Sequence, residues 1–212
     1  MAKKRIIKLP YSEFKIFFEL MVRAIANNMG EPFNPDSMLA EGQVQLADLD
    51  SKQLEADMFD MMDNTRADDA EDAAFAKLKL HLSSIKKFVD FVVGEKWLAT
   101  LDIPSRMPRS REKVRESARA VLSAWDEHSA DPELAHVIPA MDELRAAFDA
   151  WTAAWDAQQD ANRIKKEKYR ASREARAKCE KFVSRVKKYL SLYLAPDDSK
   201  WGLYGFEVRG EE

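Results

Sequence analysis

Two twelve-residue stretches decide the fold: Leu82–Val93 reads LSSIKKFVDFVV and Val183–Leu194 reads VSRVKKYLSLYL. They lie 101 residues apart, share a Lys-Lys pair, and match at every large apolar position. In both stretches the apolar residues recur at steps of three and four, which is the period of an amphipathic α-helix. The sequence therefore predicts two long helices of the same design, one in each half of the chain.

Matches on either side of these stretches indicate an internal duplication. At an offset of 100, a short helix in each half has apolar residues at the same five positions: Phe14, Phe18, Met21, Val22 and Ile25 align with Val114, Ala118, Val121, Leu122 and Trp125. A Lys-Trp pair follows each long helix. Any two amphipathic helices align at their best register, but three segments at nearly one offset favour a true repeat. We expect repeats at 1–103 and 104–195, then a tail at 196–212.

Proline, glycine and asparagine set the boundaries expected for the first repeat. The short helix opens after Pro10, with Ser12 as its N-cap, and ends before Gly30. Residues 31–47 contain two prolines and two asparagine or glycine positions, so they are predicted to connect the helices with at most one short helical turn. The long helix is then expected over residues 48–93.

The middle of that long helix and the boundaries of the second repeat are less regular in sequence. No large apolar residue occurs within 63–72, so the helix either continues there with an exposed surface or breaks. Residues 94–110 form the predicted linker, and Ser110 is placed to cap the next helix. The second long helix is expected to start at Pro139 and to end at Pro196.

Composition restricts the fold and the compartment. In 212 residues there are only six Gly and eight Pro, too few turn-formers for a sandwich or barrel of short strands, while 33% of residues are charged. A single cysteine excludes an internal disulfide framework. No apolar run approaches a membrane span and no secretory signal is recognised, so we expect a cytoplasmic protein without membrane contacts. The predicted fold is all-α: an elongated four-helix bundle, forming one structural domain, built from two homologous hairpins that each pair a short with a long helix.

Charge is distributed unevenly between the two long helices. Residues 41–72 carry eleven acids and two bases, a net of −9, whereas residues 156–188 carry twelve bases and five acids, a net of +7. In the structural interpretation the two faces lie side by side and their ion pairs set the helix register. The alternatives are a nucleic-acid-binding helix and self-assembly between acidic and basic segments of neighbouring copies. The basic residues expected to contact such a partner are Lys166, Arg170, Arg173 and Arg176.

Residue patterns typical of enzymes are not recognised. The histidines at positions 81, 128 and 136 share no helical face, and a single Glu133-x-x-His136 motif cannot supply a di-metal site. The glycines form no phosphate-binding loop. Cys179 lies on an apolar stripe, which favours a packed thiol over a nucleophile. We therefore expect no catalytic residue, metal or cofactor.

The C-terminal segment WGLYGFEV is too apolar to remain in solvent. Its aromatic residues Trp201, Tyr204 and Phe206 either pack on their own bundle or dock on a neighbouring subunit. The sequence predicts a non-enzymatic protein that binds another protein or copies of itself through its charged long-helix faces and this tail. The alternative is a nucleic-acid-binding protein that uses the basic helix over residues 163–188.

Overall fold

The computed structural model describes residues 9–208, and every regular element within that range is helical. The α-helices are α1 (Tyr11–Asn27), α2 (Leu39–Phe59), α3 (Thr65–Val92), α4 (Lys96–Thr100), α5 (Arg111–His128) and α6 (Ile138–Leu190). Short 3-10 helices occupy Asp36–Met38, Pro132–Val137 and Ser199–Tyr204, and a π-helical turn occupies Asp60–Asn64. The all-α prediction is confirmed.

Within residues 9–208, no helix combines the length and the apolar character needed to cross a membrane.

By its internal contacts the chain divides into two compact units. Among the described residues, the terminal unit contains 9–59 and 165–208, and the central unit contains 60–164. The terminal unit therefore includes α1, α2 and the last part of α6, whereas the central unit includes α3, α4, α5 and the first part of α6. Each unit combines helices from both predicted repeats, 1–103 and 104–195, whose boundaries stay a prediction.

The core of the terminal unit forms where α1, α2 and α6 meet. The predicted apolar face of α1 is buried, and α6 contributes Cys179, Phe182, Val186 and Leu190. Helix α2 approaches its neighbours most closely at Gly42, where a Cβ atom would lie 2.9 Å from Cζ of Phe182 and 3.1 Å from Cγ2 of Val22. This close packing explains a glycine inside a helix. The prediction that residues 31–47 form a connection is therefore wrong from Leu39 onward.

Acidic residues of α2 lie opposite basic residues of α6, as the structural interpretation of the charges predicts. The cross-helix pairs are Glu41 with Arg185, Asp48 with Lys178 at 3.4 Å, and Glu55 with Lys168 at 3.8 Å. Residue numbers rise along α2 as they fall along α6, so the two helices run antiparallel. Exposed pairs of this kind contribute about 0–1 kcal/mol each, and their arrangement fixes the register.

The core of the central unit, like that of the terminal unit, forms where the apolar faces of its helices meet. The five predicted positions of α5 are buried, together with Leu78, Leu82, Ile85 and Val89 of α3. Helix α6 adds Met141, Leu144 and Trp151. Ser110 caps α5 as predicted, because its Oγ accepts a hydrogen bond from the backbone N–H of Lys113 at 3.4 Å.

Two other boundaries differ from the prediction, and one open alternative is decided. Helix α1 begins directly after Pro10, which has no side-chain acceptor, and Ser12 lies in the first turn instead of capping it. The polar middle of the first long helix, for which the sequence allowed a continuous or a broken helix, stays helical through the π-helical turn at Asp60–Asn64. Helix α6 runs without a break to Leu190 and ends six residues before Pro196, since a turn already begins at Ser191.

The two stretches aligned in the sequence also match in burial. Leu82, Ile85 and Val89 are buried in the central unit, and the aligned Val183, Val186 and Leu190 are buried in the terminal unit. On the opposite side of each helix the aligned residues are exposed in both: Phe91 and Val92 match Leu192 and Tyr193. The agreement therefore covers the buried and the exposed faces.

Candidate interaction surface

A cleft of about 470 Å³ lies in the terminal unit at the C-terminal end of α6. Lys187, Lys188 and the hydroxyl-bearing Ser184 and Ser191 line it on the helix side, and Trp201, Phe206 and one carboxylate, Glu207, line it on the tail side. The cleft therefore has two bases and one acid. Both kinds of residue named by the sequence analysis, long-helix bases and tail aromatics, therefore meet in one place.

Local hydrogen bonds hold the aromatic wall of the cleft. The indole N–H of Trp201 donates to the backbone oxygen of Ala195 at 2.8 Å, and the rings of Trp201 and Phe206 meet edge to face at 5.7 Å. Asp198 caps the 3-10 helix that carries Trp201. Gly205 then turns the chain with a φ of +76°, a backbone conformation that favours glycine. The wall is consequently pre-formed.

The two lysines of the cleft lack acidic partners. Neither Lys187 nor Lys188 pairs with a carboxylate within residues 9–208, and Nζ of Lys187 lies 5.5 Å from the ring centroid of Phe206. Many upstream bases of α6 are engaged instead: Lys168, Arg170, Arg176, Lys178 and Arg185 each have a carboxylate partner. Positive charge is thus available at the cleft.

Exposed apolar side chains continue this surface beyond the cleft. Leu192 and Tyr193 directly follow the end of α6 and are 72% and 54% exposed. We call the set Lys187, Lys188, Leu192 and Tyr193, with the cleft wall of Trp201 and Phe206, the basic-aromatic surface. Exposed apolar groups next to unpaired charge are typical of a docking site for a partner that offers apolar and acidic groups.

The tail aromatics named by the sequence lie in the core of the terminal unit. Tyr204 is fully buried, and its hydroxyl donates to Oδ1 of Asn34 at 2.5 Å. Trp201 and Phe206 are 6% exposed and present only their edges to the cleft. The tail thus packs on its own unit, which was one of the two possibilities left open by the sequence.

The four predicted basic residues do not share one exposed face. Lys166, Arg170 and Arg173 are exposed at helical steps of four and three. Arg176 instead turns inward, where its guanidinium donates to the backbone oxygen of Leu9 at 2.7 Å and stacks 4.8 Å from the ring of Phe14. The stripe therefore holds three residues, and Arg176 is a packing residue because its stem covers apolar surface.

A buried ionic node in the central unit was not anticipated from the sequence. Oε1 of Glu71 accepts hydrogen bonds from Nε of Arg111 at 3.1 Å and from the indole N–H of Trp151 at 2.7 Å. Oε2 lies 3.0 Å from the same guanidinium, which stacks on Phe75. Because the carboxylate is fully satisfied by the protein, this node is a structural feature and not a free ligand site.

Residues considered for metal binding or nucleophilic chemistry are engaged elsewhere. Among residues 9–208, no three His, Cys, Asp or Glu side chains converge as a metal site would require. Glu133 of the Glu-x-x-His motif accepts from the indole N–H of Trp97 at 3.0 Å and pairs with Lys96 at 2.6 Å. Burial raises the pKa of the Cys179 thiol to about 12, so the thiol stays protonated at neutral pH.

No protein-family model, curated protein or solved structure matches this chain. The chain's own surface must indicate its function. On that surface the sequence reasoning did not single out Lys187 and Lys188, although a signal for them existed: they are the Lys-Lys pair that the two aligned stretches share.

Proposed function

We propose that this protein is a non-enzymatic helical scaffold that binds protein through the basic-aromatic surface of its terminal unit. One observation carries the proposal: Lys187 and Lys188 have no carboxylate partner within residues 9–208, while the exposed Leu192 and Tyr193 follow a few residues later in the chain. A partner with acidic and apolar side chains would satisfy both features at once. The partner is another protein or a second copy of this chain.

The shape of the cleft supports this proposal. Its aromatic wall is held by the Trp201 hydrogen bond to Ala195, so binding would require little reordering of the tail. The lysine stems add apolar area while their ammonium groups reach the rim. Polar and aromatic side chains that surround a small cleft are typical of sites that anchor one or two partner side chains.

A charge-reversal experiment tests the proposal. The double variant Lys187→Glu and Lys188→Glu is compared with Lys77→Glu and Lys79→Glu, which makes the same charge change on α3. Light scattering of the purified chain and affinity capture with mass spectrometry report homomeric and heteromeric complexes. We expect the first variant to lose complexes that the wild type and the second variant retain, while all three keep the same helical circular dichroism spectrum.

The proposal fails if both variants retain the same complexes as the wild type. A second candidate, nucleic-acid binding, is favoured by the single exposed face that carries Lys166, Arg170 and Arg173. It predicts that duplex DNA binds the wild type, that rising salt weakens this binding, and that Arg170→Glu with Arg173→Glu abolishes it. Binding with that pattern, unaffected by the Lys187 and Lys188 changes, would replace the first proposal.

We also propose the finer architecture, a four-helix bundle of two homologous hairpins, from the matched burial of the aligned stretches. Since both units contain helices from both repeats, cleavage in the linker should leave the two fragments associated. A protease site inserted near Ser105, followed by size-exclusion chromatography, tests this. Separation of the fragments without denaturant would contradict it. The cytoplasmic location stays a prediction.

A further inference from the structure

The central unit exposes two methionines at an unusual point of the chain. Met61 and Met62 lie in the π-helical turn Asp60–Asn64 and are 77% and 64% exposed. A π-helical turn is rare and occurs frequently at functional sites, because the extra residue shifts side chains out of the regular helical pattern. Methionine is flexible and polarisable, which suits it to binding surfaces that adapt to a partner. Two adjacent exposed methionines are therefore a candidate docking element.

Acidic residues surround these methionines. Residues 60–72 contain six acids (Asp60, Asp63, Asp68, Asp69, Glu71 and Asp72) and one base, Arg66. Glu71 and Asp72 are held by Arg111, and Asp68 accepts from Gln158 at 3.0 Å. Asp63 and Asp69 are exposed and pair with no basic side chain within residues 9–208. We call Met61, Met62, Asp63 and Asp69 the acidic methionine turn.

The acidic methionine turn and the basic-aromatic surface complement each other in charge and in apolar chemistry. Residues 181–208 hold five bases and three acids, a net of +2, against a net of −5 for residues 60–72. Thioether sulfur packs favourably against aromatic rings, and the ring of Tyr193, five residues after Lys188, is 54% exposed. The two surfaces belong to different units of one chain, so every copy carries one of each.

We infer that the partner bound by the basic-aromatic surface is a second copy of this chain, which docks its acidic methionine turn there. The inference rests on the proposed function and names the occupant of that surface. Because the two surfaces differ, the contact is heterologous, with the acidic methionine turn of one copy meeting the lysines of the next. Each copy keeps one surface free for a further copy, so the contact generates a ring if it closes and a filament if it does not.

Two complementary variants test the inference with the full-length chain. Lys187→Glu with Lys188→Glu disables the basic side, and Asp63→Lys with Asp69→Lys disables the acidic side. We expect each variant alone to self-associate about tenfold more weakly or worse than the wild type, since like charges then face each other. Lys77→Glu with Lys79→Glu serves as the control and should associate normally. Light scattering over a concentration series gives the mass of each sample.

Mixing the two disabled variants gives the decisive result. For this mixture the surfaces are neutralised by Lys187→Gln with Lys188→Gln and by Asp63→Asn with Asp69→Asn, because charge-reversed surfaces would attract each other. One variant retains the acidic methionine turn and the other retains the lysines, so the mixture should form a dimer and grow no further. The double variant Met61→Ser and Met62→Ser should self-associate more weakly than the wild type. Its net charge and the salt dependence of its self-association should be the same as those of the wild type. Circular dichroism of every variant checks that the helices are retained.

Several outcomes would overturn the inference. They also show whether the proposed function fails with it. A chain that stays monomeric at every concentration overturns the inference, and the proposed function survives if Lys187→Glu with Lys188→Glu still abolishes capture of a different protein. Self-association unaffected by Asp63→Lys with Asp69→Lys also overturns it. Binding of the lysines to phosphatidylserine vesicles, without self-association, overturns both.

Discussion

The two units bury polar groups of different kinds. In the terminal unit the buried polar pair is neutral: the Tyr204 hydroxyl donates to Asn34, whose amide N–H donates to the backbone oxygen of Ile25 at 2.8 Å. In the central unit the buried polar groups are Asn64 and a carboxylate, Glu71, which is held by Arg111 and Trp151. Similar apolar stripes therefore enclose a neutral pair in one unit and an ion pair in the other.

This difference has energetic consequences. Removing one partner of a buried ion pair leaves an uncompensated charge, which is strongly destabilising, whereas removing one partner of a neutral hydrogen bond leaves a smaller desolvation penalty. The central unit should therefore be the more sensitive to loss of a single polar side chain. The terminal unit should instead respond to alkaline pH, because its buried polar groups include phenols and a thiol.

We expect the largest effect from Arg111→Met. The change leaves Glu71 buried with only the Trp151 donor. Because the Arg111 side chain is itself 43% exposed, we expect a cost of about 3 kcal/mol, the lower end of the range for breaking a buried pair. Amide hydrogen exchange read by mass spectrometry should show faster exchange in α3 and α5. Arg109→Met, an exposed arginine of the preceding loop, is the matched control and should change little.

A second change separates charge from packing at the same node. Adding Glu71→Leu to Arg111→Met removes both charges, and apolar replacements of a buried pair are often neutral or stabilising. In this double variant, much of the protection against hydrogen exchange that Arg111→Met removes from α3 and α5 should return. If the double variant is as unstable as the single one, the node contributes through packing around Trp151 and the comparison between the units would lose its electrostatic basis.

Alkaline pH should destabilise the terminal unit first. Burial raises the pKa values of Tyr11, Tyr204 and Cys179 to about 12, above their ordinary values of 10.0 for tyrosine and 9.0 for cysteine. The unfolded chain therefore loses these protons at lower pH than the folded chain. Stability is fully retained below about pH 9 and is lost progressively as pH rises through about 12.

Hydrogen exchange across that pH range measures the effect, with intrinsic rates corrected for pH. Peptides from α1 and the last part of α6 should lose protection at lower pH than peptides from α3 and α5. Equal loss in both units would show that these three groups do not control alkaline unfolding. The variant Tyr204→Phe, which has no phenol at this position, should lose less stability between about pH 10 and 12 than the wild type does, so the pH dependence of the terminal unit becomes flatter.

At neutral pH, Tyr204→Phe should have a moderate cost. It leaves Oδ1 of Asn34 buried without its donor, a loss of about 1–3 kcal/mol. Chemical denaturation followed by hydrogen exchange should locate the change in the terminal unit. Tyr193→Phe is the matched control, since Tyr193 is 54% exposed and should alter stability by only a few tenths of a kcal/mol.

The smallest expected effect comes from Gly42→Ala. Helix propensity favours alanine by about 1 kcal/mol, but the new methyl group would meet the Phe182 ring, and overpacking costs about 1–3 kcal/mol. We expect a net loss of roughly 1 kcal/mol in thermal or chemical denaturation. Gly202→Ala has open space around the new Cβ and should be neutral. A stabilising Gly42→Ala would mean that the ring moves aside freely.

The helical stripes could be predicted because they depend on local periodicity. The buried positions of α1 and α5 follow from spacing alone, and the Ser110 cap follows from residue type. The start of α2 could not be predicted, because Gly42 indicates a loop unless the position of the Phe182 ring is known. The local sequence indicates the secondary-structure propensity of a segment. It does not indicate where two helices approach each other closely, because that depends on the tertiary fold.

The candidate site was predictable only in part. Trp201 and Phe206 were identified as apolar residues that need a partner, but the tertiary packing decides that the partner is their own unit. Lys187 and Lys188 differ from Lys168, Lys178 and Arg185 in lacking a carboxylate on α2. Likewise, the burial of Glu71 depends on Arg111, 40 residues away. Pairing over such distances leaves no local signal.

The division of the chain between the units also affects how it is synthesised. The central unit is one continuous stretch, residues 60–164, so all of it leaves the ribosome before the last part of α6 does. The terminal unit needs both ends of the described chain. Until the last part of α6 emerges, the apolar faces of α1 and α2 lack their main covering surface. During translation, the first residues made therefore belong to the last unit completed.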